Sequence, residues 1–143
     1  MSRVLTRRER GAVAVEFALV LPVLLLILLG IIDFGRAMFI KNALTNAASQ
    51  GARVAAMHLP SDSATAVALS VADSMGIQGM AGSSTPVSVQ VTICPPDTVT
   101  TAAPVIDTVT ASVHFKWITP ASLFAPSSDT ISATATWLCV FTK

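Results

Sequence analysis

Charge is what this sequence most lacks. Of 143 residues only 12% are Asp, Glu, Lys or Arg, while 52% are hydrophobic and the mean hydropathy is +0.69. Soluble domains carry about 25% charged residues, so the composition points to membrane residence. The basic residues form neither a tail nor a patch that would draw the chain to nucleic acid; their one cluster is Arg3, Arg7, Arg8 and Arg10. Catalytic signatures are missing as well. The chain has no Gly-x-Ser-x-Gly, no His-Glu-x-x-His and no Cys-x-x-Cys, and its acidic residues are scattered singly. No enzyme, cofactor, metal site or small-molecule substrate is therefore expected. His58 and His114 have no neighbours at metal-site spacing and read as structural or solvated. Length excludes a second domain, since one domain takes roughly 100–200 residues.

What is present is one long apolar run. Ala12 to Ile32 contains a single ionisable side chain, Glu16, and as a helix it spans roughly 30 Å, the thickness of the hydrocarbon core. No comparable run follows, so the rest of the chain lies on one side of the membrane. Four arginines precede the run, and only Arg36 and Lys41 follow within ten residues. The positive-inside rule therefore puts the N-terminus in the cytoplasm. A cleaved secretory signal is the rival reading. The run is longer than a signal core and lacks a small-x-small site near its end, where Asp33, Phe34, Gly35 and Arg36 stand. The expected organisation is a basic leader (1–11), a transmembrane helix (12–34) and an exported head (35–143).

Helical periodicity continues past the run. Ile40, Leu44, Ala47, Gly51, Val54 and His58 recur at spacings of three and four, with Lys41, Thr45, Ser49 and Arg53 elsewhere on the helix. One helix is expected from about Ala12 to His58, kinked near Pro22 and ended by Pro60. A short second helix follows, capped by Ser61 or Asp62, with Ala64, Val67, Ala68, Val71, Ala72 and Met75 on one stripe and Gly76 closing it. The stretch from Gly76 to Pro86, with Gly76, Gly79 and Gly82, reads as a flexible linker. It is no phosphate loop, since it follows a helix and leads into a strand.

The period then changes to two. Val87, Val89, Val91 and Ile93 alternate with polar residues, as do Val109, Ala111, Val113, Phe115 and Trp117, and finally Ile131, Ala133, Ala135, Trp137, Cys139 and Phe141. Three strands with one apolar face each make an antiparallel sheet that needs a cover. The fold class is α+β: a long N-terminal helix, membrane-spanning first and amphipathic second, a short second helix, and a three-stranded antiparallel sheet packed on the long helix.

Gly11, Ala12, Val13, Ala14, Val15, Glu16 and Phe17 stand at the start of the apolar run, after Arg10. An acidic residue at a membrane helix centre costs roughly +2.5 to +3.5 kcal/mol and less near an end, so Glu16 calls for a partner. A cut after Gly11 would create an α-amine on Ala12, and such an amine on a neighbouring subunit would neutralise Glu16. The other reading is a carboxylate that snorkels to the head groups. Asp33 and Arg36, three apart at the far border, read as a membrane-interface pair worth tenths of a kcal/mol, with Arg36 as anchor; a subunit contact is the second reading.

The segment Arg7 to Ala56, RRERGAVAVEFALVLPVLLLILLGIIDFGRAMFIKNALTNAASQGARVAA, resembles the TadE-like pseudopilins of the bacterial tight-adherence (Tad/Flp, type IVc) pilus system. GAVAVEFALVLP, IDFGR and QGARVAA, in that order, carry the likeness. The resemblance implies a minor pilin cut between Gly11 and Ala12 by a prepilin peptidase, with Glu16 assisting recognition or assembly. It implies further partners: other pilins, the inner-membrane assembly platform and the lipid bilayer. It implies roles in pilus assembly, surface adhesion and biofilm formation. From another class comes the alternative of an uncleaved, single-pass scaffold or binding protein of a secretion apparatus.

Cys94 and Cys139 lie beyond the membrane run, in a compartment where disulfides persist. A bridge would close a loop of about 45 residues, worth about 4 kcal/mol by chain entropy. Cys94 has polar-face parity and Cys139 apolar-face parity, so the bridge requires the chain to turn at Pro95 and Pro96. Two buried free thiols are the other reading.

Overall fold

The computed structural model describes residues 7–57, 60–92, 106–118 and 129–138. Its first element, helix α1, runs Arg7–Ala55 without a break through Pro22. It begins five residues before the expected start, so the Gly11–Ala12 bond lies inside the helix. The end tightens as Met57 N–H bonds to Val54 O at 3.1 Å, and Pro60 follows. Residues 11–28 are all exposed, whereas from Asp33 onward one face is buried by Ile40, Leu44, Ala47, Gly51 and Ala55. Ile40, Leu44, Ala47 and Gly51 follow the expected stripe; Val54 is only half-buried, with Ala55 buried beside it, and His58 lies outside the described residues.

Helix α2, Ser61–Ser74, packs on α1 through Ala64, Ala68 and Ala72. Small residues let the two backbones approach closely. A Cβ added to Gly51 would stand 3.1 Å from Ala68 Cβ, 3.2 Å from Ala64 O and 3.4 Å from Val109 Cγ1. The expected side-chain cap is not formed. Pro60 occupies the capping position, and its carbonyl receives Ser63 N–H at 2.9 Å. Ser61 and Asp62 fall inside the first turn, because proline fixes φ where the helix begins.

The expected linker is instead a third helix, α3, Ile77–Ala81. Gly76 and Gly82 bracket it, with φ of 64° and 65°. Only glycine adopts that region at no steric cost, so the two glycines delimit a turn of helix. Ile77 and Ala81, four apart, are fully buried and pin the segment to the core.

Strands β1 (Ser88–Thr92), β2 (Ile106–Phe115) and β3 (Asp129–Leu138) form an antiparallel sheet in the order β1-β2-β3. Ile93, Cys94, Cys139 and Phe141 lie outside the described residues. Val109, Ala111, Val113, Phe115 and Ala133 face α1 and close the core. Asp107 shares that parity and is fully buried. Hydroxyls cover the opposite face: Ser88 Oγ lies 2.7 Å from Ser112 Oγ, Thr110 Oγ1 3.1 Å from Thr134 Oγ1, and His114 Nδ1 3.2 Å from Thr130 Oγ1.

Helix and strands run side by side. Arg36 lies over Phe115, and Gly51 lies against Val109. Between these contacts α1 rises about 22 Å and β2 covers about 20 Å. The β2 strand therefore returns along α1, ending beside the apolar run, and β1 and β3 point away from it.

Candidate functional site

At the N-terminal end of the apolar run, Gly11, Ala12 and Glu16 are exposed on α1. Glu16 is flanked on its helix face by Val13, Phe17 and Val20. A Cβ added to Gly11 would meet nothing within 4 Å. The fold therefore supplies no packing reason for glycine at this position, although glycine in a helix costs roughly 1 kcal/mol relative to alanine.

The other end of the run is a built junction. Asp33, 1% exposed, is the first buried residue of α1 from Gly11 onward. Its carboxylate accepts Arg36 Nη1 at 3.1 Å and the backbone N–H of Ile118 at 3.2 and 3.3 Å. Arg36 also donates through Nη2 to the carbonyl of Met80 and sets its guanidinium 5.1 Å from the Phe115 ring centroid. Phe115 meets Trp117 edge to face, with centroids 4.9 Å apart, and Trp117 Nε1 donates to Asp129 at 3.0 Å. Lys116 N–H bonds to Ala81 O at 2.9 Å, which ties the end of β2 to the end of α3.

The anticipated pair of Asp33 and Arg36 is thus formed, and its reach is longer than the spacing suggested. A local exposed pair contributes tenths of a kcal/mol. A buried carboxylate holding a guanidinium and a backbone N–H makes charge-assisted bonds worth roughly 1.5–3 kcal/mol each. The junction fixes α1 to the head where the apolar run ends. Ile118, Met80 and Phe115 carry no sequence pattern that links them to Asp33; only the alternation of Phe115 and Trp117 marks an aromatic strand end.

A second tether holds the middle of α1. Ser88 Oγ donates to Ser112 O at 3.4 Å, so that carbonyl faces β1. The pairing of Ser112 with Ser132 is then the non-hydrogen-bonded kind, and the Ser132 carbonyl points away from β2. Lys41 Nζ donates to it. A lysine at an edge strand also opposes pairing with another chain.

Cys94, Cys139 and His58 lie outside the described residues. His114 is exposed on the hydroxyl face. Among the described residues no group of three or more His, Cys, Asp or Glu side chains is placed to hold a metal. Also among them, one helix, Gly11–Ala55, is long and apolar enough to cross a membrane, and none of its most apolar window is buried. Such a helix fits a membrane-anchored protein.

Comparison with curated proteins and with solved structures finds no match. A comparison with protein families does: residues 11–53 match the family described as TadE-like protein. The matched segment begins at Gly11 and takes in the apolar run, the Asp33 junction and Gly51.

Proposed function

From the TadE-like character of residues 11–53, we propose that this chain is a minor pilin or pseudopilin of the tight-adherence pilus system. It is made as a prepilin with the leader in the cytoplasm and the head outside the inner membrane. The prepilin peptidase cuts after Gly11, and the mature helix joins those of other pilins at the assembly platform. The work is assembly, serving surface adhesion and biofilm formation, and no reaction is catalysed. The observation that carries this reading is the apolar run of α1, exposed from Gly11 through residue 28 and locked to a compact head at Asp33. A glycine without packing neighbours at residue 11 supports a requirement set by an external partner such as the peptidase. Glycine also lowers the cost of unwinding the helix at the bond to be cut. Glu16, exposed among apolar neighbours, is the group for the amine of an adjoining mature subunit. A bridge between Cys94 and Cys139 belongs to the same exported setting.

The test is the intact mass of the chain recovered from membranes of cells with and without the prepilin peptidase. The expected product starts at Ala12 only when the peptidase is present. Glu16→Ala is then expected to lower incorporation into filaments. The same mass reads the bridge, which removes one hydrogen from each thiol. A chain that keeps its leader in both strains ends the pseudopilin reading and leaves the uncleaved, membrane-anchored scaffold.

A further inference from the structure

The junction at Asp33 sets the height of the head. Ala12 to Ile32 fills roughly 30 Å of hydrocarbon, and Asp33 is the next residue. Its carboxylate holds the N–H of Ile118, and Arg36, one turn further, holds the carbonyl of Met80. No spacer separates the apolar run from the head. The end of β2 and the end of α3 therefore stand at the level where hydrocarbon gives way to head groups.

What those ends present is apolar. Ile118 is 63% exposed and Met80 is 37% exposed, and Phe34, 66% exposed, extends the apolar surface around α1 at the same height. Exposed Lys116 adds an ammonium, the group that phosphate head groups attract. Beside them, Trp117 is half-buried, with its ring against Phe115 and its Nε1–H on Asp129. An aromatic with one apolar side and one wet end is the side chain enriched at the membrane–water interface.

We propose that this rim of the head, formed by Met80, Lys116, Trp117 and Ile118, rests in the head-group zone of the same bilayer that holds α1. The bilayer is favoured over a neighbouring subunit because the rim is continuous with the exposed apolar run and is bonded to α1 at the level where that run ends. The head is then seated on the membrane at a fixed tilt, and it stays seated until the helix leaves the bilayer. This inference rests on the membrane-anchored reading given above.

The chain contains two tryptophans, and the sheet places them at opposite ends. Trp137 stands opposite Asp107, and Asp129, the partner of Trp117, stands opposite Phe115. From Asp129 to Trp137 the strand covers about 27 Å, leading away from the membrane. Full-length Trp137→Phe and Trp117→Phe proteins, each with one tryptophan, are reconstituted in phosphatidylcholine–phosphatidylglycerol vesicles. The lipids are brominated near the head group, and alkaline carbonate extraction is run in parallel. Trp117 is expected to lose at least half of its emission and Trp137 almost none, and Ile118→Asp is expected to reduce the loss at Trp117. Resistance to carbonate with Trp117 unquenched, as when another subunit covers the rim, overturns the proposal and leaves the membrane anchor standing. Equal quenching of both tryptophans overturns it too. Release of the chain by carbonate removes the anchor reading and this inference together.

Discussion

Asp33 is the residue on which helix and head depend. Replacing it with alanine strips the Ile118 N–H and the Arg36 guanidinium of a shared acceptor in a site with little water. Breaking a buried charged pair by removing one partner costs about 3–5 kcal/mol. Arg36 keeps 15% side-chain exposure and its bond to Met80, so the lower figure is expected for Asp33→Ala. That is a fall in Tm on the order of 15 °C for a head of this size, read by circular dichroism in detergent. Asp33→Asn retains one acceptor oxygen for Ile118 N–H and Arg36 but loses the charge and turns the other oxygen into an NH2 donor, so it is expected to cost less than Asp33→Ala without restoring the wild-type Tm. Equal melting of all three proteins would remove the junction from the stability of the fold. The sequence shows this site halfway. Spacing of three names the pair of Asp33 and Arg36, but nothing in a linear pattern connects residue 33 with residue 118. Asp107 shares the parity of Val109, two residues on, but a lone charged residue before an apolar alternation carries no signal of its full burial.

Elements follow their periods where the period is long enough to count. The stripe Ile40, Leu44, Ala47 and Gly51 is buried as expected, because α1 presents one face to a sheet over more than three turns. The three alternating runs became the three strands. Helix α3 was hidden for the opposite reason: five residues make little more than one turn, and glycines 76, 79 and 82 mask the i, i+4 pair of Ile77 and Ala81. The cap of α2 was misread because Pro60 offers no side-chain oxygen, while the two residues after it do. Close approach of α1 and α2 yields the prediction proper to this scale. Gly51→Ala brings a Cβ closer than ordinary contact to Ala68 and to the Ala64 carbonyl, so α2 must give by a few tenths of an ångström; about 1 kcal/mol of helix propensity offsets this, and Tm should change little. Gly51→Leu cannot be housed between α2 and Val109 and should cost about 3 kcal/mol, at the upper end for overpacking. The same thermal melt checks both, and a Leu variant as stable as wild type would mean that α2 yields readily.

At the scale of the whole chain, two bodies meet at one residue. No side chain in 11–28 is buried, whereas burial starts at Asp33 and the hydrophobic core, from Ile40 onward, draws on all three helices and on β2 and β3, with Val89 and Val91 of β1 packed against it. The apolar run thus adds nothing to the packed core among the described residues, and the head holds itself together. A fragment of residues 29–143 should therefore unfold cooperatively, and Asp33→Ala should lower its Tm by as much as it does in the full chain. A fragment starting at Ala37 keeps Ile40 and everything after it but has neither Asp33 nor Arg36. It should melt lower than the 29–143 fragment, at or below the temperature of that fragment's Asp33→Ala form. If the 29–143 fragment fails to fold while the full chain in detergent does, then the helix in the membrane stabilises the head by a route other than the Asp33 junction. If the Ala37 fragment melts as high as the longer one, the junction orients the head without stabilising it.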